Sequence, residues 1–568
     1  MKKMIYLTII TSMLLGCKQP PKEAADTIYH GGDIITMETE SPEYAEAVAT
    51  KAGKILFVGT KDEAMKLQGK STNVVDLQGQ TMLPGFVDAH SHLWISGLQA
   101  LAANLLPPPD DDGSSIDEVI RITKEWADKN PKAIGKAGWI IGFGYDDAQL
   151  AEKRHPVAEE LDKISTEYPV ILIHQSSHLG ALNSKALEMA GITADTKDPA
   201  GGVIRRKEGS QEPDGVLEEM AFFGTALTLL NTFDPATNEV IAKAGQKAYA
   251  KYGFTTAQEG RASEAMSETW KNLAEKGELF LDVAAYVDLQ AGLDYLKKST
   301  IDNKYKDHYR IAGVKFCLDG SPQGKTAWLT KPYKIPPAGQ PADYRGYPAF
   351  EDESILFNLV DTAFKYNWQV LAHTNGDASS DQFIRSISQA ANMYGNNDRR
   401  SVMIHAQTVR DDQLDSMKNL KIIPSFFGMH TYYWGDWHRD ETLGEERAFR
   451  ISPAVSAMDR GMIFTQHNDA PVALPSSTMI LHSVVNRVSR SGQIIGPDER
   501  ITAYDALKSM TKWSAYQYFE EDTKGTLKAG KLADFVILDK NPLKVEPMQL
   551  MNIEVMETIK EDKTIFRK

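Results

Sequence analysis

The chain has 568 residues, 42% of them hydrophobic and 25% charged, with a formal net charge of −14. That length exceeds what one small core supports, so a barrel-sized domain with a second, smaller unit is expected. The acidic balance argues against nucleic acid as a partner, and neither internal repeats nor a long low-complexity tract is present.

The N-terminus reads MKKMIYLTIITSMLLGC. A basic start is followed by an apolar stretch too short for a permanent membrane span, which fits a signal peptide. The LLGC ending resembles a bacterial lipobox. The resemblance implies cleavage after residue 16, acylation of Cys17 and anchoring to a membrane of the cell envelope, inner or outer. An ordinary secretory signal or a buried apolar segment is the alternative. Residues 17–26 then read as a polar tether. Cys317 is the other cysteine; with no partner for an internal disulfide, it is expected to pack as a small buried residue.

Short apolar runs broken by glycines follow in residues 27–82, and strand–turn–strand patterns recur in 525–568. Neither end can build its own core, so the two are expected to join as one composite β-sandwich. Between them, residues 83–524 alternate strand-like runs with helical stretches, which argues for an α/β fold with a parallel sheet. Eight runs occur in order: TMLPGFVDAHSHLW, FTTAQEG, LFLDVAAYVDL, YRIAGVKFCLDGS, WQVLAHTNGDAS, SVMIHAQTV, KIIPSFFGMHTYYW and GMIFTQHNDAPV. Eight parallel strands close naturally into a TIM-like (β/α)8 barrel, with chemistry at the C-terminal strand ends.

Those ends carry a distinctive set of residues. His90 and His92 close the first run, and on a strand they would share one face with Asp88. Lys315 lies in the fourth, His373 ends the fifth, His405 the sixth and Asp469 the eighth. Only 13 histidines occur in the chain. Imidazoles with a carboxylate are the ligand palette of zinc and similar divalent ions. Taken alone, the HxH pair also reads as a half-buried strand end.

The stretches LPGFVDAHSH, VKFCLDGSPQGKTAWLTKPY, HTNGDAS, IHAQTV, NDAPV and GTLKAGKLADFVIL together resemble the metal-dependent amidohydrolase superfamily. The likeness is strongest to the branch that includes N-substituted formamide deformylase. The resemblance implies a barrel with a composite β-sandwich and one or two divalent metals, with zinc the expected ion. It also implies roles. His90, His92 and Asp469 would hold one ion, and His373 and His405 a second. Lys315, as a carbamate, would bridge them. The other reading of Lys315 is an ion pair with Asp319 or Asp469. Asp469 would also serve as acid–base group in the hydrolysis of a non-peptide carbon–nitrogen bond.

Several neighbours have two readings each. Asp377 either orients His373 or caps a helix. His467 and Asn468 are expected to hydrogen-bond within their loop; the branch typically has Ser where this chain has Asn468. The insertion 95–250 is expected to form a lid or pocket wall, with His178 and Glu219 near substrate or in surface and capping duty. His430, Tyr432, Trp434 and Trp437 either line an apolar pocket or simply pack. A small-molecule amide hydrolase is the reading adopted. A deaminase or ester-type hydrolase on the same site and a non-catalytic binding lipoprotein are the alternatives. The oligomeric state is open, a homo-oligomer included.

Overall fold

The structure, a computed structural model, describes residues 24–568 except 200, 231–232 and 338, and leaves aside the side chains of 227–230. Cys17 and the leader lie outside the described residues. Among them, no helix is long and apolar enough to cross a membrane.

The central element is an eight-stranded parallel sheet whose strands stand side by side in chain order. We number them β1 (Phe86–Val87), β2 (Phe254–Ala262), β3 (Asp282–Asp288), β4 (Tyr309–Cys317), β5 (Gln369–Thr374), β6 (Val402–His405), β7 (Ile423–Phe426) and β8 (Thr465–Gln466). A helix follows each strand before the next, as parallel crossovers require. The sheet curls, and the loops after its first and last strands meet: His92 N donates to Ala470 O at 2.9 Å. Val87, Ala284, Tyr286, Leu371, Val402 and Ile404 pack together on its inner side. Their alternates, such as Val314, Val370 and Met403, face the helices. Along β4 and β5 this period of two turns Lys315 and His373 inward.

A second sheet uses both ends of the chain. Its strand order is Lys563–Arg567, Val555–Lys560, Phe535–Leu538, Thr81–Pro84, Thr27–Ile35, Tyr44–Lys51, Lys54–Gly59, with Asn73–Asp76 paired to Thr27–Ile35. Residues 24–26, expected to belong to a tether, already join it. Ala25 N donates to Leu67 O at 2.9 Å and Asp26 N to Thr50 O at 2.8 Å. Residues 103–219 contain a third sheet of six strands rather than a simple loop. It has its own core of Leu105, Val119, Tyr145, Leu172 and Ala181.

The loop after β1 is held by a close helix contact. Helix Leu93–Leu101 starts at His92 and lies against helix Pro235–Lys251. A Cβ on Gly97 would fall 1.9 Å from Ile241 O, and one on Gly245 2.3 Å from Leu93 O. Only glycine permits that approach.

At the opposite, N-terminal end of the strands lies a buried ionic cluster. Asp282 Oδ2 meets Lys524 Nζ at 2.6 Å and Lys560 Nζ at 2.8 Å. Lys524 also pairs with Glu520 at 2.6 Å, and Glu520 with Arg310 at 2.7 Å. The cluster ties β3 and β4 to the C-terminal segment, far along the strands from His373 and His405.

Candidate metal centre

The strand that leads into the two histidines is shorter than expected. β1 stops at Val87, so His90 and His92 sit in the following turn and strand alternation does not aim them. The aiming comes from β2. Gln258 Nε2 donates to Ala89 O at 2.9 Å, which turns Gln258 Oε1 toward His90 Nδ1 at 2.6 Å. His92 Nδ1 stands 2.6 Å from Gly260 O. Both partners only accept, so both Nδ1 atoms carry the proton and each Nε2 keeps its lone pair. Those Nε2 atoms lie 3.2 and 3.6 Å from Asp469 Oδ1.

Gly260 is sterically required here. A Cβ would meet His90 Cε1 at 2.7 Å and Ser91 O at 2.8 Å. Gly260→Ala is expected to displace the His90 ring and cut the metal bound per chain at least several-fold, read by elemental analysis. Full metal content in a folded Gly260→Ala chain would refute that packing argument.

Lys315 Nζ lies 2.9 Å from His90 Nε2. Among the described residues it makes no ion pair with Asp319 or Asp469, so the pairing considered from sequence is not formed. Burial pushes its pKa down to about 7, which leaves a large neutral fraction near neutral pH. His373 Nε2 lies 3.2 Å from Gly320 O and 3.1 Å from the side-chain amide of Asn375, and its Nδ1 faces the other way. That Nδ1 is 3.0 Å from His405 Nε2. Two nitrogens on one tetrahedral ion stand about 3.3 Å apart, from bonds of about 2.0–2.1 Å.

Alternation along β6 would put His405 beside Met403 on the outer face. Its left-handed backbone (φ 69°) turns it inward instead; Asp469 is likewise left-handed (φ 52°). Strain of this kind collects at functional positions. His90, His405 and Asp469 each offer a ligand atom within 4.8 Å of the others, and all three are buried. Asp469 Oδ1 and His405 Nδ1 are buried without a hydrogen bond. Burial holds His90, His373 and His405 neutral, well below the usual imidazole range, and brings His92 down to about 3. Neutral imidazoles around an unsatisfied carboxylate are a donor set suited to a divalent cation.

The remaining residues singled out from sequence divide. His178 Nδ1 and Glu219 Oε2 are 2.7 Å apart, and the His178 ring lies 5.2 Å from that of His373, so both border the centre. His430 connects to it through Phe427, whose ring is 4.7 Å from His430 and 6.2 Å from His405. Trp434 packs 4.7 Å from His430, and its Nε1 donates to Asp146 at 2.6 Å, which ties the β7 loop to the insertion. Trp437 Nε1 donates to Gln323 O at 3.0 Å, and Tyr432 packs beside His482.

Three expectations need correction. Asp377 neither orients His373 nor caps. It is the first residue of helix Asp377–Tyr394, and its carboxylate accepts from Thr330 N at 2.8 Å and pairs with Arg410 at 3.1 Å. The residue beside His373 is Asp319, Oδ1 at 3.6 Å from Nε2. His467 does not hydrogen-bond in its loop. Both ring nitrogens are buried without partners, and its ring stands 5.3 Å from His90 and 5.1 Å from His405. Asn468 does bond locally, accepting from Ala470 N at 2.8 Å. Cys317 is half-buried, with Sγ 3.4 Å from Asp319 O.

Two other groups of potential ligands occur among the described residues: Asp146, Asp147 and His174, and Asp282, His308 and Glu561. The second is already neutralised by Lys524 and Lys560. In the first, His174 Nε2 bonds Asp147 at 3.0 Å, and burial is outweighed by the two carboxylates, which raise that imidazole to about 9.

Comparison with known proteins agrees with this geometry. The chain matches the Amidohydrolase family over residues 73–566. It is 27% identical over 561 residues to the Bacillus subtilis (strain 168) protein YtcJ, described as an amidohydrolase, covering 95% of this chain and 99% of that one. It is 24% identical over 523 residues to the N-substituted formamide deformylase of Arthrobacter pascens, covering 90% and 93%. Among solved structures, an uncharacterised metal-dependent hydrolase of Pyrococcus horikoshii OT3 superposes with a TM-score of 0.72 at 25% identity, over 92% of this chain and 99% of that one. Buried imidazoles, an unsatisfied aspartate and a family match across most of the sequence converge: the chain belongs to the amidohydrolase family, hydrolases of carbon–nitrogen bonds other than peptide bonds.

Proposed function

We propose that the chain hydrolyses a small N-formyl, N-acyl or cyclic amide at a binuclear centre, within a TIM-like (β/α)8 barrel spanning residues 83–524. The β-sandwich parts would be 27–82 and 525–568. The observation that carries this reading is the ring of buried imidazoles around Asp469, with the tautomers of His90 and His92 fixed by Gln258 and Gly260. His90 Nε2, His92 Nε2 and Asp469 would hold one ion. His373 Nδ1 and His405 Nε2 would hold the second. The neutral Lys315 amine would add to carbon dioxide and release one proton, giving a carbamate that bridges both. Zinc suits this donor set. The chemistry such ions supply is activation of water and polarisation of the scissile carbonyl.

The protein's own groups do the rest. Asp469 takes the proton of the attacking water and returns it to the leaving nitrogen. Gln258 and Gly260 O keep His90 and His92 in the ligating tautomer. His178, held by Glu219, presents its ring beside His373, where it would meet the substrate. Phe427, His430 and Trp434 would form the apolar side of the pocket. We also propose export and lipid anchoring through Cys17.

The test is metal per chain in a form beginning after Cys17, purified with bicarbonate and without chelator. About two ions, falling in Lys315→Ala and His90→Ala, are expected. About one ion, insensitive to Lys315→Ala and lost in His90→Ala, would overturn the bridged centre. A folded, metal-free chain would overturn the hydrolase reading and favour a binding lipoprotein.

A further inference from the structure

Arg261 has no part in the mechanism above, yet it is placed as few arginines are. It directly follows Gly260, whose carbonyl holds His92. The pairing of β2 with β3 skips it: Gly260 faces Tyr286 and Ala262 faces Val287, so Arg261 is the extra residue of a bulge. Its backbone is left-handed (φ 61°). A bulge at the rim of a sheet re-aims a side chain, and a non-glycine residue holds such a conformation only where its surroundings impose it.

The guanidinium is half-buried, and Asp288 holds it at one point, Oδ2 to Nε at 2.9 Å. Among the described residues its two terminal amino groups have no other hydrogen bond or ion pair. One face covers Phe223 at 5.0 Å from the ring centre. Phe223 lies 5.5 Å from His178, and His178 lies 5.2 Å from His373. An aromatic wall thus runs from the guanidinium to the metal centre. Of the carboxylates near it, Asp288 is paired to Nε, and Glu219 meets His178 through Oε2 and keeps a buried Oε1 without a hydrogen bond. Its charge also reaches Lys315, whose ammonium form it disfavours. Free N–H groups in a fork, beside an apolar wall and in a partly dry rim, are the recognition element for a planar carboxylate.

We infer that Arg261 anchors a carboxylate on the substrate, so the class cleaved is an N-acylated compound that bears an acid group, of the N-formyl or N-acyl amino acid type. This inference rests on the hydrolase reading for its cleavage arm. Arg261 is a specificity residue: it touches the substrate away from the reacting bond.

The experiment has a turnover arm and a binding arm. In the first, metal-loaded enzyme is assayed for formate release from N-formyl-L-phenylalanine and from N-formyl-2-phenylethylamine, which differ by the carboxylate alone. The wild type is expected to prefer the acid at least about tenfold in kcat/KM, and Arg261→Gln to lose the preference through KM with little change in kcat. In the second, equilibrium binding of 3-phenylpropionate and 3-phenylpropionamide is measured calorimetrically, with no turnover required. Arg261→Gln is expected to weaken the acid about tenfold and leave the amide unchanged, and Arg261→Lys to fall between. If Arg261→Gln does not fold, Arg261→Lys and the wild-type acid–amide difference carry the test. Equal binding of acid and amide by the wild type, or equal losses for both in the variants, would overturn the inference. A binding difference without formate release from either compound would instead count against the hydrolase reading and leave the carboxylate anchor standing.

Discussion

Asp469→Asn is expected to lower kcat by about 10²- to 10⁴-fold while the chain stays folded. The argument starts from its oxygens. Oδ1 is buried, lacks a hydrogen bond and faces His90 and His92 at 3.2 and 3.6 Å. Oδ2 lies 4.0 Å from His405 Nε2. The side chain therefore stands between the two groups of imidazoles. Asn keeps the shape and one ligating oxygen but cannot take up a proton. The loss should thus fall on rate far more than on metal content. Kinetics on N-formyl compounds, beside elemental analysis of the same preparation, separates the two. A loss of activity in strict proportion to lost metal would show that Asp469 only binds the ion.

Asp282→Ala is expected to destabilise the fold by about 3–5 kcal/mol without touching the metal centre. The substitution removes the carboxylate shared by two buried ammonium groups and leaves Lys524 with Glu520 and Lys560 with Asp534. Burial opposes charge on Asp282, but these two lysines outweigh it and hold its carboxyl well below the usual range. A depressed pKa stabilises the folded state above the unfolded value of about 4, and the gain is lost as pH falls through the folded value. Asp282 also holds His308 at 2.7 Å and raises its imidazole, so the difference in stability between wild type and variant should be largest near about pH 5 to 6, decline in part as pH rises through the raised His308 range, and shrink again in strong acid. Urea denaturation across that range measures it. A difference that vanishes entirely above neutrality would assign the stabilisation to His308 and not to the two lysines.

The order of the central sheet was legible because each strand is a short apolar run ending in a recognisable polar cluster. Side chains that converge through strand alternation, Lys315 and His373, were legible for the same reason. What escaped the sequence depends on backbone geometry that no spacing encodes. His405 reaches the centre by a left-handed residue against the alternation of β6. His90 and His92 are aimed by Gln258 and Gly260, which lie over 160 residues later. Asp319 looked no different from other loop acids. It is a hub that accepts from Asn375 N, Gly376 N, Trp328 N and Ser379 Oγ. The sheet inside the insertion was not legible because its six strands are short and separated by turns. Arg261 carried no signal, since a bulge is a property of two strands and not of one.

The sheet that joins both ends also sets an order of assembly. Phe535–Leu538 pairs with Thr81–Pro84, the strand that runs straight into β1 and the His90 loop. The partner of Thr81–Pro84 is therefore synthesised long after it, with the whole central sheet in between. Long-range pairing of this kind cannot form until both strands have been made. The loop that presents His90 and His92 must wait for Phe535–Leu538 before its base is fixed. Metal uptake then follows the arrival of that strand, and its loss would impair the centre from a distant part of the sequence.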